Sequence, residues 1–325
     1  MLGYVARRLI QGALVILGVT AITFFALHLG GDPTYLYVSE HASAADVQAM
    51  RAALGFDQPL PLQYARFLAG LLQGDLGASL TYKTGALGVV MGFLPATVEL
   101  TVAAMLLAVG LAVPLGVLAA LRRGTAWDGG VMLLGMLGQS VPSFWMGILL
   151  LLVFGLGLAW LPMSGHVPVL LPLLQGDLLT AVRNLPQGVL HLVLPAVTVC
   201  FFSLARNARL VRSSMLEALG QDFVRTARAK GLRESDVVIG HALRNAWLPV
   251  VTIIGLEFGF LLGGVVVVET IFAWPGVGRL IFNAINQRDI PLVQAAVIVL
   301  AIVFVLLNLL VDILYARLDP RVRLA

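Results

Sequence analysis

Charge is scarce in this sequence. Only 12% of the 325 residues are Asp, Glu, Lys or Arg, about half the share of an ordinary soluble domain. Cysteine is scarcer still. Cys200 stands alone inside an apolar run, which excludes an internal disulfide and any metal centre built on several thiolates. No G-x-x-x-x-G-K-[ST] phosphate loop occurs, and the order Lys83-Thr84-Gly85 does not supply one, so ATP hydrolysis by that route is excluded. The five histidines, His28, His41, His166, His191 and His241, form neither an H-E-x-x-H motif nor a close pair, which speaks against a metal site. Ser164-Gly165-His166 places a hydroxyl near an imidazole. Chain neighbours do not form a catalytic triad, however, and nothing beside them supplies an oxyanion hole. Internal repeats, low-complexity tracts and long linkers between soluble domains are also missing.

What the sequence has is apolar length. Hydrophobic residues make up 59% of it and the mean hydropathy is +0.96. Runs near the ~20 residues that cross a bilayer as a helix recur at about 9–29, 98–120, 131–158, 189–211, 248–270 and 293–315. The expected class is an all-α polytopic membrane protein with six transmembrane helices. Arg7 and Arg8 precede the first run, which is too long for a signal peptide and lacks a small-x-small cleavage site. It is therefore read as an uncleaved span. Basic residues then set orientation. All but six of the 21 fall at the N-terminus, in 121–130, in 206–247 or in the tail. The exceptions are Arg51, Arg66, Lys83, Arg183, Arg279 and Arg288. Both termini are thus expected in the cytoplasm, in a multi-pass protein of the inner membrane. Topology accounts for the pI of about 9.6, and nucleic acid is not an expected partner.

The chain divides into an N-terminal end with the first span, residues 1–29, an extracytoplasmic cap segment, 30–97, and a core of five spans, 98–325. In the cap, Ser43 can start a helix that ends near Leu54-Gly55, and a second amphipathic helix fits about 61–73, stopped by Gly74 and Asp75. The core carries a polar cytoplasmic loop, 212–247. There Asp222 suits an N-cap, Phe223 to Lys230 reads as two helical turns, and Gly231 fits the left-handed position that ends a helix. Phe223, Ala227 and Gly231 share one stripe, and Arg228 and Lys230 suit the last turn of the helix dipole. A second helix can begin at Ser235 or Asp236. A topology signal needs no fold, so a capped, glycine-stopped helix outside the bilayer suggests a docking element.

This loop resembles the cytoplasmic coupling loop of permease subunits of binding-protein-dependent ABC importers. The family pattern E-A-A-x-x-x-G, followed nine residues later by I-x-L-P, falls on Arg225-Thr226-Ala227, Gly231, and His241, Leu243 and Arg244. Ala227, Gly231 and Leu243 match, whereas the glutamate and the proline do not. The version here, R-T-A-R-A-K-G-L with H-A-L-R-N-A, is similar to the dipeptide, oligopeptide and nickel branch. So are Gly74-Asp75-Leu76-Gly77, the stretch Val268-Glu269-Thr270-Ile271-Phe272 through Trp274-Pro275-Gly276-Val277-Gly278, Asp312 through Asp319-Pro320-Arg321, and the N-terminal A-R-R-L-I. The resemblance covers nearly the whole chain. It implies a type I importer permease fold and half of a translocation pathway for di- or oligopeptides. The implied partners are a second homologous permease, two ATPase subunits that bind ATP and Mg, an extracytoplasmic substrate-binding protein and membrane lipid, with no cofactor on this chain. It also implies ATPase docking by Asp222, Phe223, Arg225, Thr226, Ala227, Arg228, Lys230, Gly231, Leu232 and Leu243. Arg225 stands where the family pattern has its glutamate, which leaves that one contact open. Nickel, glutathione and oligosaccharides are further cargoes of such systems.

Polar residues inside the spans complete the reading. Glu257 lies near the middle of the fifth span, where a charge costs ~2.5–3.5 kcal/mol, so it faces a pathway or a neighbouring helix. Gly255, Gly259 and Gly263 beside it allow close helix approach. Asn308 and Asp312 share a face of the sixth span, and Asn308 is a second pathway candidate. Glu269, Trp274, Pro275 and Gly276 are expected in an external loop or gate. In the working mechanism, closure of the ATPases moves the Asp222–Gly231 helix as a lever that tilts the flanking spans. A secondary transporter using Glu257 as proton carrier is the alternative, and a transport-inactive membrane scaffold is a third class.

Overall fold

A computed structural model describes residues 2–28, 33–38 and 41–318. The tail residues Asp319, Pro320, Arg321 and Arg323 lie outside them, as do the surroundings of Pro249, Gly263, Gly264 and Arg317. Helices dominate: α1 (Leu2–His28), α2 (Ala44–Ala53), α3 (Leu60–Leu72), α4 (Ala86–Leu121), α5 (Ala126–Ser140), α6 (Ser143–Leu150), α7 (Leu170–Leu174), α8 (Leu178–Leu219), α9 (Asp222–Ala229), α10 (Arg244–Gly264), α11 (Val266–Ile271), α12 (Val277–Asn286) and α13 (Ile290–Leu318). Wider π-type turns extend α6 over Leu151–Gly157 and precede α10 over Asp236–Leu243. No strand occurs among the described residues, where a single bridge joins Ala78 and Gly85. This is the all-α expectation, and it follows from the solvent. Within lipid a chain without a closed barrel satisfies its backbone only as helix.

The chain forms two compact units, residues 1–95 with 275–306, and residues 96–274 with 307–325.

In the first unit, α2 begins with the expected Ser43 cap. Asp46 completes a reciprocal capping box, and Gly55 takes φ +71° after the helix. Helix α3 carries Tyr64 and Phe67 against Phe24 of α1, with ring centroids 5.3 and 5.7 Å away. The Tyr64 and Thr20 hydroxyls meet at 2.9 Å. Leu76, Val90, Leu280, Leu292 and Ile298 form the interior. Its organising polar group, Asp289, is fully buried at the start of α13. One carboxylate oxygen accepts hydrogen bonds from the Ser79 hydroxyl at 2.5 Å and the Thr81 N–H at 3.0 Å, and the other from the Leu292 N–H at 3.2 Å.

In the second unit α5, α6, α7, α10 and α11 pack on α8, a 42-residue rod about 63 Å long at 1.5 Å per residue. Its interior prolines, Pro186 and Pro195, remove two intrahelical bonds without ending it. The expected third span, 131–158, is not straight. Helices α5 and α6 are bent by 105° across Val141-Pro142. Pro142 has no N–H and pushes the residue before it out of the helical region, and Val141 is extended with ψ 122°. The two halves nevertheless climb α8 in one direction. Asp128 binds Arg212, Gly135 lies by Arg209, Gly138 by Ala205 and Phe201, Gly147 by Thr198, and Gly165 by His191. That order describes a broken crossing, not a loop that returns to the side it entered. Four helices, α1, α4, α8 and α13, are each long and apolar enough to cross a membrane, and the bent pair can serve as a fifth crossing.

Burial alone would raise the Asp289 carboxyl, yet the bonds from Ser79 and from the Thr81, Leu80 and Leu292 N–H groups hold it below the usual carboxylate range. Its contribution to stability is therefore complete above the ordinary value near ~3.9 and is lost as pH falls through the depressed one. Asp289→Ala should cost about 1–3 kcal/mol, and thermal unfolding in detergent at pH 7 should show the drop.

Candidate functional site

The cytoplasmic segment predicted to dock a partner is a folded element. Helix α9 starts one residue earlier than expected. Gln221, extended at φ −78° and ψ 155°, takes the N-cap position, and Asp222 is the first helical residue. Asp222 still suits the positive end of the dipole, and it meets Arg225 at 3.4 Å. The far end follows the expectation closely. Gly231 has φ +75°, its N–H donates to Arg228 O at 3.0 Å, and the Leu232 N–H donates to Ala227 O at 3.4 Å. These are the two bonds of a Schellman stop. Arg228 closes the turn through a two-pronged ion pair with Glu234, at 2.6 and 3.1 Å, and that pairing holds the Glu234 carboxyl below its usual range.

The buried face of α9 is Val224 and Ala227, so of the Phe223–Ala227–Gly231 stripe only Ala227 faces inward. Val224 is fully enclosed by the cluster that contains Val211 and Met215 of α8 and Val237 and Val238 of the following turn. A three-residue spacing puts both side chains on one face, against that cluster. Asp222, Phe223, Arg225, Thr226, Arg228, Lys230, Gly231 and Leu232 are left exposed. Leu243 is half-buried in the same cluster, so it supports the element from behind and is not part of the surface α9 presents.

Glu257 lies inside the unit, 4% exposed. Asn207 of α8 donates to one carboxylate oxygen at 2.7 Å, and the Arg206 guanidinium lies 3.4 Å from the other. The Asn207 side-chain oxygen has no hydrogen-bond partner among the described residues. At Gly255, an added Cβ would collide with Val311 of α13, so this glycine serves close packing. Asn308 and Asp312 are both half-buried on α13.

Glu269 lies on a helix, and Trp274 lies in the short loop between α11 and α12 but is buried. Glu269 is on α11, fully buried, and accepts a hydrogen bond from the Thr97 hydroxyl at 2.7 Å. Trp274 is 1% exposed and donates its indole N–H to Ala96 O at 2.8 Å. Thr97 gives Glu269 a donor inside an apolar environment, and a charged residue beside a W-P-G sequence gave no hint of that. Pro275 precedes Gly276, which is extended at φ −99° and caps α12.

Sequence reasoning also missed the group around Glu99. One carboxylate oxygen pairs with His166 Nε2 at 2.6 Å. The other accepts the N–H groups of Val169, at 3.0 Å, and Leu170. His166 also meets Trp274 edge-on at 4.4 Å. His166 thus anchors a chain segment and has no nucleophile to activate. Glu99 and His166 are 67 positions apart, so no local pattern joins them.

This geometry makes a prediction for Glu257. Glu257→Gln keeps an acceptor for Asn207 and adds a donor for its unpaired oxygen, so the melting temperature should not fall. Glu257→Leu leaves Asn207 buried without a partner and should cost about 1–3 kcal/mol, measured on the same detergent-solubilised protein.

Residues 112–324 match the binding-protein-dependent transport system inner membrane component, and residues 1–101 match the N-terminal part of the same kind of membrane component. The di/tripeptide transport system permease protein DppB of Pseudomonas aeruginosa is 42% identical over 342 residues, with 99% of each chain covered. The dipeptide transport system permease protein DppB of Escherichia coli is 40% identical over 336 residues, again with 99% of each covered. The glutathione transport system permease protein GsiC of Pectobacterium atrosepticum is 41% identical over 325 residues at the same coverage. With both parts matched in chain order, the protein belongs to the family of binding-protein-dependent transport system inner membrane components, as a multi-pass permease subunit and not an enzyme.

Proposed function

We propose that this chain forms half of the translocation pathway of an ATP-driven importer of di- and oligopeptides. The relatives' names support the peptide cargo. Its partners are a second homologous permease, an extracytoplasmic binding protein that delivers the peptide, and two ATPase subunits that bind ATP and Mg. Both termini face the cytoplasm, and six crossings are supplied by α1, α4, the α5–α6 pair, α8, α10 and α13. The fifth of these is α10, 21 residues long, which carries Glu257.

One observation supports the coupling role above the others. Helix α9 offers an exposed polar surface yet is locked to the end of α8 through Val224 and Ala227. A push on it is therefore transmitted to the rod that carries α5, α6 and α10. Asp222, Phe223, Arg225, Thr226, Arg228, Lys230 and Leu232 would meet the ATPase. Ala227 and Leu243 would hold the element in place.

Gly231 provides the test. Its conformation strains any L side chain, although an added Cβ there would meet nothing within 4 Å. Gly231→Val should leave the protein in the membrane while cutting peptide uptake at least tenfold and reducing the ATPase that co-purifies. Uptake at the normal rate, or uptake that collapses when the proton gradient is removed while ATP is maintained, would contradict the proposal.

A further inference from the structure

We propose that the elbow between α5 and α6 forms a peptide-binding station at mid-membrane, a cavity of about 410 Å³ that takes the backbone of the transported peptide. This inference rests on the peptide reading above and assigns it a place in the chain.

The cavity follows from two close approaches and the break between them. At Gly138 a Cβ would stand 2.5 Å from the Ala205 Cβ and 3.0 Å from Phe201 O. At Gly147 it would stand 3.2 Å from Thr198. The chain is thus pinned to α8 on both sides of the bend. Between the pins it swings away at Val141-Pro142, and α8 is left uncovered beneath it. Of the α8 residues that line the opening, Phe202 is exposed and Phe201 half-buried, while Thr198 and Val199 form its buried back wall. They lie at the centre of α8, which runs from Leu178 to Leu219, so the opening is near the middle of the rod and far from either end.

Position and chemistry together indicate the occupant. Non-helical backbone at membrane depth is tolerated only where protein buries it or where it lines a watery cavity. The residues at this break are not buried: Gln139, Ser140, Pro142 and Ser143 are all exposed. Polar side chains in such a place do not suit a lipid tail. The N–H groups that open α6 have no carbonyl of their own helix to bind. The Ser140 hydroxyl donates to Met136 O at 2.9 Å and keeps its oxygen free to accept. None of the lining side chains is charged, so nothing there would hold a metal cation or select one charged side chain. A neutral set of amide, hydroxyl and backbone groups beside an apolar wall matches what all peptides share, amide bonds carrying varied side chains. The volume falls within the ~300–1,000 Å³ of small-ligand sites. Contacts of this kind are weak enough to release a cargo that must leave again.

Cysteine accessibility in cells that express the complete importer tests this directly. The one native cysteine, Cys200, is buried and gives a quiet background. Ser140→Cys and Ser143→Cys are treated with a water-soluble cationic methanethiosulfonate, with and without glycylsarcosine. Leu133→Cys, an exposed residue of α5, is the lipid-facing control. The expected result is that the two elbow cysteines react at least tenfold faster than the control. Glycylsarcosine should slow that reaction at least fivefold, and modification should cut uptake at least tenfold relative to the same variant before treatment. Elbow cysteines no more reactive than the control point to a lipid-filled or subunit-covered crevice and overturn the proposal. Reaction with neither dipeptide protection nor loss of uptake overturns it as well. If the unmodified importer takes up no dipeptide, the peptide reading itself fails and carries this inference with it. Normal uptake with silent elbow cysteines removes the elbow alone.

Discussion

The constraint on which this protein depends is that hydrocarbon offers no hydrogen bonds. Backbone groups carried into the bilayer must be satisfied by the chain itself, which makes long helices the default and every interruption costly. The longest helix, α8, meets this condition over 42 residues and tolerates two prolines. With that rod in place, other elements can deviate. Helices α5 and α6 break at Val141-Pro142 because Gly138 and Gly147 let them grip α8 on either side. Asn207 of the same rod gives the buried Glu257 a hydrogen-bond donor.

Continuity from membrane to cytoplasm follows. The helix that anchors the broken span also ends beside α9. Val211 and Met215 near its end enclose Val224, and Arg212 is bound to Asp128 at the start of α5. The outward face of α9 can then be polar and exposed without loss of position. The Arg228–Glu234 pair adds geometric definition more than energy, since both side chains are about half exposed and such pairs contribute little in water.

Much of this was legible in the sequence wherever a local rule acts alone. Ser43 and Gly231 were readable because caps and left-handed stops depend on neighbouring residues. The apolar runs were readable because bilayer thickness sets their length. The failures share a cause of another kind. Pro142 was visible, but whether a proline bends or breaks a membrane helix depends on the neighbours that satisfy the freed groups, and those lie on α8. Glu269 was placed in a loop because its donor, Thr97, is 172 positions away. Asp289 and Ser79 are 210 apart. The buried face of α9 was not readable, since an eight-residue helix has too few turns to fix its own phase. Only α8 decides which side faces inward.

The central claim is that α9 is the surface through which an ATPase drives this subunit. Site-directed cross-linking in native membranes tests it most directly. Thr226 is exposed on α9, and Thr226→Cys can be joined to a neighbouring chain by a short bifunctional maleimide and identified by mass spectrometry. The account predicts an adduct with a phosphate-loop ATPase whose yield changes when ATP is added. A cysteine that reacts readily with soluble maleimide yet never joins an ATPase, with or without nucleotide, would contradict it.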